Sequence, residues 1–474
     1  MELATRYTWS IVLERVLKKF KRKFKKAAPR FELGIKDLQS SALPLGHAAR
    51  HENTYYNSVG ISQRPTKILF LSNGHGEDLI ALRIIKAIHN IRNDISVEVF
   101  PLVGEGKIFN SSISEGWLKK IGPIKSMPSG GFANQSFIGL LSDIYSGLVS
   151  LLFRQFFYTR KIASKDEIII VAVGDFLPLL MAWFSGSKYF FIGTPKSDYT
   201  WTSGPVKSLS DNYHRLKGTE WDPWECSLMK AFRCQHVLVR DQITARGLRR
   251  NGVDVSCLGN PMMDCLSLKN SPDSLRNFRK LILLCGTRMP EALNNFRQLL
   301  TSVIEVRTDK TLAVLVPTGS DPSINCLVPI LSELGFVRST DKYEDVDYDF
   351  LWIKKNHLVF LGPYKFDSWA NWGEIGLANA GTATEQIIGL GIPCASIPGN
   401  GPQFTKAFAM KQSRLLGGSV KPARTIYDLT RNLELLLKDE DLRKSIGNIG
   451  KKRMGDSGAS SLIANVILKL YQNF

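Results

Sequence analysis

Short apolar runs alternate with stretches of helical period from Lys67 to the end of the chain, and glycine- or proline-containing turns separate them. An apolar run of five or six residues predicts a buried strand, and a 3.6-residue period predicts the helix that follows it. This repeated order is typical of parallel α/β sheets. The strands predicted in the first half are 67–72, 97–102, 168–173, 189–192, 236–239 and 255–258.

A polar interval at 267–277 predicts a linker, because it contains Pro272 and Asp273 between two apolar blocks. A second series follows it. Its predicted strands are 281–285, 312–317, 357–361, 375–379 and 394–397, and its predicted helices are 291–304, 384–390, 403–412, 426–437, 440–454 and 460–471. The pattern therefore predicts an α/β protein with two Rossmann-like parallel-sheet domains, 65–264 and 278–474, which face each other across a ligand cleft.

The segment 1–64 has a different pattern. Apolar residues at helical spacing in 12–26 are surrounded by Lys and Arg, which predicts a basic amphipathic helix for an anionic bilayer, a targeting peptide or a poorly ordered tail. Residues 30–47 have no sustained period and resemble a translated transfer-RNA gene. We interpret 1–64 as a disordered extension or as the result of a start assigned upstream of a true start near Ile61.

The apolar stretch 137–157 approaches the length of a membrane span but contains Asp143, Arg154 and Gln155. A central Asp is costly in lipid, so a span is disfavoured. Two interpretations stay open. The stretch is either a core helix or a membrane-facing helix assisted by Arg154, Arg160 and Lys161.

Composition excludes several classes of protein. With 474 residues, 44% hydrophobic and 22% charged, the chain is neither a small disulfide scaffold nor a disordered or polytopic membrane protein. A net charge of +19 indicates an anionic partner. Nucleic acid is disfavoured because no motif interleaves basic and aromatic residues. The seven cysteines lack metal-site spacing, which favours a reducing compartment and no metal.

The turn after the first strand reads SNGHGED from Ser72 to Asp78. Glycines at a strand-to-helix turn allow close approach of a ligand, so Asn73, Gly74 and Gly76 are predicted to line the cleft. His75, between two glycines, is a candidate for proton transfer or for a hydrogen bond to the substrate. The two acids that follow are expected to complement the helix dipole.

Asp175 follows the apolar strand 168–173. A carboxylate at the carboxyl end of an interior strand points into the cleft, where partial burial raises its pKa toward that of a general base. Capping of the helix predicted at 177–184 is an equally good explanation.

Three glycine-containing turns follow strands of the second half. LCGTR at 284–288 supplies Gly286 and Arg288, and Arg can hold a phosphate through two hydrogen bonds. NAGTATE at 379–385 opens a helix with Gly381 and Thr382, whose amides suit phosphate, while Glu385 can accept hydrogen bonds from a ribose diol. PGNGPQ at 398–403 is the third turn.

These three motifs, preceded by CLGNPMMD at 257–264, resemble the lipid-A-disaccharide synthase family, and more closely a related branch that has SNGHGED in its first turn. The resemblance covers the chain from about Lys67 onward. It extends more distantly to the peptidoglycan N-acetylglucosaminyltransferase and to galactolipid synthases. It implies the GT-B fold, with a nucleotide-sugar donor in the C-terminal half and the acceptor in the N-terminal half, where Asn73, Gly74 and Gly76 would lie on the acceptor side.

The resemblance also implies roles for residues. Asp175 matches the acidic position used for base catalysis, Arg288 a diphosphate contact, and Gln403 a position near the sugar. Gly381 and Thr382 match the phosphate turn, and Glu385 a position near ribose. The chain departs from the classical synthases in its first turn, where they have a Gly-Glu-Ala-Ser-Gly-Asp type sequence, and at Arg414, where they have Asn.

The sequence hypothesis is an inverting glycosyltransferase without cofactor or metal, which moves a hexose or N-acetylhexosamine from a UDP-sugar to a lipid or lipid-like acceptor. The expected location is cytoplasmic, peripheral on the inner face of the membrane, against an anionic surface. Two alternatives stay open: a nucleotide-sugar epimerase, which converts the donor alone, and a non-catalytic nucleotide-sugar sensor at the membrane surface.

Overall fold

The computed structural model describes residues 67–124, 147–165, 168–204, 208–264, 266, 269–308, 310–399 and 404–471. The whole segment 1–64 interpreted above, the first part of the apolar stretch 137–157 and Gln403 lie outside these residues. The described residues belong to one compact unit, which extends from Arg64 to Phe474.

The first sheet has seven parallel strands in the order β3-β2-β1-β4-β5-β6-β7. The chain moves outward from β1 in one direction and then returns to continue on its other side, which places a topological switch point between β1 and β4. The strands are β1 (Lys67–Ser72), β2 (Ser96–Pro101), β3 (Leu118–Lys120), β4 (Ile168–Val173), β5 (Tyr189–Gly193), β6 (Cys234–Val239) and β7 (Val255–Cys257).

The second sheet repeats this order. Its strands are β8 (Arg279–Leu284), β9 (Leu312–Thr318), β10 (Val337–Ser339), β11 (Phe350–Lys354), β12 (His357–Pro363), β13 (Ile375–Ala378), β14 (Cys394–Ser396) and β15 (Val420–Pro422). They lie in the order β10-β11-β12-β9-β8-β13-β14-β15, with β10, β11 and β12 antiparallel and the other pairs parallel. The switch point of this sheet therefore lies between β8 and β13.

Helices connect the strands in both halves. Those of the first half are α1 (His75–Ile91), α2 (Asn110–Ser114), α3 (Leu148–Lys165), α4 (Phe176–Ser185), α5 (Tyr199–Thr202), α6 (Leu209–Lys217), α7 (Pro223–Met229) and α8 (Gln242–Arg250). Those of the second half are α9 (Glu291–Glu305), α10 (Ile324–Glu333), α11 (Phe366–Trp369), α12 (Thr382–Gly389), α13 (Lys406–Leu415), α14 (Ile426–Lys438), α15 (Glu440–Met454) and α16 (Ala459–Tyr471). Short 3-10 turns occur at Lys107–Phe109, Pro261–Met263 and Asp273–Leu275.

Both faces of the first sheet are covered, which explains why its strands read as continuous apolar runs. Successive side chains of a strand point to opposite faces. In β1, Ile68 and Phe70 pack with Ile84 of α1, whereas Leu69 and Leu71 belong to a separate cluster under α4 and α7. All of these side chains are buried.

The last helix, α16, packs on α1 of the first half. The end of the CLGNPMMD motif fixes its start, since the two carboxylate oxygens of Asp264 accept hydrogen bonds from Gly458 N at 2.5 Å and Ser460 N at 2.6 Å. Gly259 of the same motif lies close to Ala459, because a Cβ on this glycine would be 3.1 Å from the Ala459 Cβ. The motif therefore joins the end of the chain to the first half.

The predicted α/β fold with two Rossmann-like domains is confirmed, while the boundaries 65–264 and 278–474 stay predictions. Four strands, β3, β10, β11 and β15, were not predicted. Three of them have only three residues, too few for a period to show. Among the described residues, no helix has the length and apolar character required to cross a bilayer.

Candidate active site

The switch point of the first sheet brings an amide and a carboxylate together. Asn73 follows β1 and Asp175 follows β4, and Asn73 Nδ2 donates a hydrogen bond of 2.5 Å to Asp175 Oδ1. The same oxygen accepts a hydrogen bond of 3.2 Å from Leu177 N and so caps α4. Because both bonds use Oδ1, Asp175 can cap α4 and still offer Oδ2 as a general base. The two predicted roles are therefore compatible.

Gly174 is required between these groups. Its φ of +135° lies in a region that residues with a Cβ rarely adopt. A Cβ at this position would also lie 2.1 Å from Asn73 Oδ1 and 3.3 Å from Glu77 Cγ. The side chains of Asn73 and Glu77 therefore pack directly over the backbone that carries Asp175.

Three carboxyl groups of the first half share this region. Burial, and next the charge of Asp175, raises the pKa of Glu77 to about 8, so Glu77 is mostly protonated at neutral pH. Burial also raises the pKa of Asp175. Asp78, buried behind them, accepts a hydrogen bond of 2.5 Å from Ser72 Oγ, and burial raises its pKa to about 7.

Lys196 supplies the positive charge on this side of the cleft. It lies three residues beyond β5, the strand next to β4, and its charge lowers the pKa of Asp175 against the effect of burial. Its Nζ is held 2.5 Å from a carboxylate oxygen of buried Glu225 and 4.7 Å from the Trp221 ring centroid. The surroundings thus fix this cation near the candidate base.

The switch point of the second sheet has an equivalent arrangement. Gly286 follows β8 with a φ of +87°, and a Cβ there would be 3.1 Å from the backbone oxygen of Asn379, which follows β13. The Asn379 side chain is buried. It donates to Asn295 Oδ1 at 3.2 Å and accepts a hydrogen bond from Ile397 N at 3.1 Å. Asn379 therefore links the ends of β13 and β14 to α9.

The phosphate turn predicted at Gly381 and Thr382 forms the start of α12. Gly381 is its exposed N-cap, and a Cβ on Gly381 would meet nothing within 4 Å, so the space in front of this helix end is open. The first-half turn approaches it closely, since a Cβ on Gly76 would be 3.2 Å from Thr382 Oγ1. The two glycine-containing turns thus meet in one cleft.

Arg288 follows the turn after β8, as predicted, and is half-buried. Burial lowers the pKa of its guanidinium to about 10, which leaves it positively charged at neutral pH. A desolvated guanidinium is well suited to bidentate contact with phosphate oxygens.

Glu385 is paired with a residue that was not among the candidates. Arg240, buried just after β6, donates a hydrogen bond of 2.7 Å to a Glu385 carboxylate oxygen. Glu385 in turn contributes to the raised pKa of Glu77. This ion pair links the first half of the chain to the helix that carries the phosphate turn.

A second group of ion pairs links α13 to the first half. Arg414 Nη1 lies 3.1 Å from a carboxylate oxygen of Asp211 in α6, and Lys411 Nζ lies 2.9 Å from one of Glu220. Arg414 Nε also donates to the backbone oxygen of Ser203 at 3.0 Å. Arg414 therefore attaches α13 to the first half of the chain.

Most of the predicted site residues lie along this cleft. Gly76 of the first half approaches Thr382 at the start of α12, and Asn73 and Asp175 lie together at the neighbouring switch point. His75 is the first residue of α1, but its side chain lies outside the described part of the structure. The sequence analysis missed Glu77 as a site residue, and also Lys196 and Arg240. The last two follow strand ends, so the rule that selected Asp175 would have found them.

Metal binding has no obvious location in the described part of the chain. There, no group of three or more His, Cys, Asp or Glu side chains has an arrangement that could hold a metal ion. The prediction that the protein acts without a metal or cofactor stays a prediction.

Solved structures share this architecture. A protein from Listeria monocytogenes described as a UDP-N-acetylglucosamine 2-epimerase has a TM-score of 0.53 at 12% identity, over 86% of this chain and 98% of its own. Medicago truncatula UGT71G1, solved with UDP-glucose, has a TM-score of 0.52 at 13% identity, over 86% of this chain and 98% of its own. The glycotransferase of kitacinnamycin has a TM-score of 0.50 at 12% identity, over 86% of this chain and 99% of its own.

The chain has the GT-B fold. At these identities the likeness establishes the fold alone. No protein-family model matches the sequence, and a comparison with curated proteins found no significant match.

Proposed function

We propose that this GT-B protein is an inverting glycosyltransferase that moves a hexose or N-acetylhexosamine from a UDP-sugar to a hydroxyl of a lipid or lipid-like acceptor, as its resemblance to lipid-A-disaccharide synthases implies. The observation that carries the proposal is the meeting of two turns. Asp175 and its partner Asn73 lie at one switch point, and the neighbouring Gly76 approaches Thr382 at the open end of α12. The proximity of these turns supports the assignment of Asp175 as the base and of the start of α12 as the phosphate site.

In the proposed reaction, Asp175 takes the proton of the acceptor hydroxyl. The acceptor oxygen attacks the anomeric carbon on the face opposite UDP, and the bond to the diphosphate oxygen breaks as the new bond forms. UDP leaves with the electron pair. Both hydrogen bonds that position the Asp175 carboxylate use Oδ1, which leaves Oδ2 for the acceptor proton.

The proposed roles of the donor-binding residues follow from the charge of the leaving group. UDP leaves as an anion, so groups that stabilise negative charge on the diphosphate lower the barrier. The Arg288 guanidinium and the amides at Gly381 and Thr382 have this role in the proposal, with Gly286 permitting close approach of the backbone. Glu385 would hold the ribose, and Gln403 would contact the sugar.

Release of UDP tests the proposal. Purified protein is incubated with UDP-glucose or UDP-N-acetylglucosamine, with and without a total lipid extract, in the presence of EDTA. The proposal predicts UDP release that requires lipid and persists in EDTA. A donor that is consumed equally without lipid would contradict it, and nucleotide binding without turnover on any lipid would favour the sensor.

A second candidate is a nucleotide-sugar epimerase, and the carboxyl pair in the cleft favours it. Glu77, largely protonated, lies beside Asp175, whose charge helps to keep it so. Neighbouring acid and base groups of this kind can remove and return a proton on one sugar. Incubation of the donor alone separates the two functions. An epimerase converts the donor to a second nucleotide sugar, whereas a transferase needs an acceptor to consume it.

A further inference from the structure

Helix α6 carries its apolar residues on the outside. Leu209, Tyr213 and Leu216 are spaced four and three residues apart, so they lie on one face of the helix. Their exposed fractions are 74%, 42% and 89%. A surface helix of a globular protein normally turns such a stripe toward the core. We call these three residues the α6 stripe.

The opposite, inward face of α6 is polar, and its contacts explain the orientation. Asp211, 5% exposed, accepts hydrogen bonds of 3.1 and 3.2 Å from Arg414 of α13. His214 Nε2 lies 3.6 Å from a Glu220 carboxylate oxygen, and both residues are buried. At the edge of the stripe, Lys217 Nζ donates to Asp222 Oδ1 at 2.5 Å and lies 4.6 Å from the Tyr213 ring centroid. These contacts hold α6 in place and leave the stripe facing solvent.

Aromatic residues next to the stripe have one apolar and one polar side. Tyr213 donates a hydrogen bond of 3.2 Å from its hydroxyl to Asp222, while its ring remains partly exposed. Trp224, at the start of α7, is 54% exposed. Tyr and Trp are enriched at the boundary between lipid and water for this reason.

The charges around the stripe are positive. Arg215 is exposed on α6, and α8 lies against the end of α6, since Asn251 after α8 donates to the Lys217 backbone oxygen at 3.2 Å. The exposed charged residues of α8 are Arg246, Arg249 and Arg250. Three acids of this region, Asp211, Glu220 and Asp222, are buried and paired as described, and the exposed Asp254 beyond α8 lies 3.2 Å from His236 Nδ1. The surface therefore complements an anionic one.

We propose that the α6 stripe and the arginines beside it dock on an anionic lipid bilayer, with the leucines inserted at the level of the headgroups. The inference rests on the proposed lipid acceptor and names the surface that meets the membrane. Because Arg414 joins α6 to α13, a docked α6 would hold the open cleft near the lipid.

A bilayer fits this surface better than a second copy of the chain. In a two-fold dimer the same patch faces itself, so the arginines of the two copies would be brought together. Like charges across an interface oppose association. Anionic headgroups instead attract each exposed arginine, and apolar side chains that enter the interface add to the binding.

Vesicle flotation tests the docking surface. The full-length protein is mixed with phosphatidylcholine vesicles, with or without 30% phosphatidylglycerol, in the absence of a sugar donor. We expect binding to the anionic vesicles and at least a tenfold lower partition coefficient for Leu209→Ser/Leu216→Ser. The matched control, Leu435→Ser/Leu462→Ser, replaces two leucines that are 44% and 52% exposed on α14 and α16, and it should bind as the parent does.

A local probe separates this surface from the basic segment 1–64. Asn212 is exposed on α6 between two members of the stripe. An environment-sensitive fluorophore on Asn212→Cys should shift to the blue with anionic vesicles and be quenched by a lipid-borne quencher. The parent protein, labelled in the same way, gives the background from native thiols.

The outcomes are distinct. Parent-like binding by the Leu209→Ser/Leu216→Ser variant, or a probe at 212 that does not respond to bound vesicles, overturns the inference. Loss of a dimer in that variant, seen by light scattering, would assign the stripe to self-association and also overturn it. Because no donor is present, failure of sugar transfer leaves this test unaffected, and a failed test leaves the proposed transferase standing.

Discussion

Asn73 donates a 2.5 Å hydrogen bond to Asp175, although 102 positions separate the two residues in the chain. The contact exists because β1 and β4 are parallel neighbours whose carboxyl ends coincide, with Ser72 in register with Val173. It fixes the carboxylate at the one place in this sheet where helices diverge to opposite faces and leave a crevice. The pair therefore defines the position of the proposed catalytic carboxylate.

Loss of the Asn73 amide should change the pH dependence of catalysis. Its hydrogen bond favours the charged form of Asp175 and lowers the pKa of this carboxyl against burial. In Asn73→Ala, we expect the acidic limb of the kcat/KM profile to move to higher pH and activity at pH 6 to fall by about tenfold. An unshifted limb would show that Asn73 does not position the base. Asn93→Ala, at an exposed position after α1, serves as the control.

Glu77 should make the protein less stable as the pH rises. Its pKa is near 8 in the folded protein and near 4.5 unfolded, so between these values the folded state binds the additional proton. Stability is then greatest below about pH 4.5 and falls toward pH 8, by at most about 1.4 kcal/mol per pH unit from this group.

Urea unfolding at pH 5, 6, 7 and 8 measures this effect. Glu77→Gln should flatten the decline and be more stable than the parent protein at pH 8. Glu344→Gln, at an exposed position, should keep the parent slope. Equal slopes in all three proteins would show that Glu77 is not buried as a neutral acid.

Arg288 should be required for nucleotide binding. A charge-assisted contact to phosphate contributes about 1.5–3 kcal/mol, so Arg288→Ala should raise the Kd for UDP by roughly ten- to a hundredfold. Thermal stabilisation by UDP should fall accordingly. Exposed Arg307→Ala is the control. An unchanged Kd in Arg288→Ala would remove this residue from the donor site.

The Arg240–Glu385 pair should contribute to stability. Arg240→Ala removes a buried partner, with 4% of its side chain exposed, and leaves a carboxylate that is 15% exposed without its cation. We expect a loss of about 3 kcal/mol in the free energy of unfolding. In a double-mutant cycle, Arg240→Ala should cost much less in a Glu385→Ala background. Additive effects would mean that the two residues do not interact.

The parts of the fold that could be predicted are those in which both faces of a strand are buried. The bounds of β1 and β4 match the prediction residue for residue, because Lys67–Ser72 and Ile168–Val173 read as continuous apolar runs between clear turns. The edge strands β3 and β10 are short and partly exposed, so their sequences carry no comparable signal.

Of the candidate site, the sequence predicts only residues that closely follow a predicted strand. Asp175 and Asn73 could each be placed at a sheet edge, but their contact depends on the strand order, which the sequence pattern does not contain. Arg414 appeared only as a departure from a family pattern. Its partner, Asp211, lies 203 positions away, so neither the ion pair nor the outward apolar face of α6 could be derived from local sequence.

Transfer of label from a radioactive UDP-sugar to lipid tests the central claim most directly. We predict that labelled sugar appears in the lipid fraction together with an equal amount of UDP. In Asp175→Asn both should fall by about 10²- to 10⁴-fold with unchanged circular dichroism, whereas Asp441→Asn, exposed at the start of α15, should match the parent protein. Label that stays in the nucleotide-sugar pool, or transfer by Asp175→Asn at the parent rate, would contradict the account.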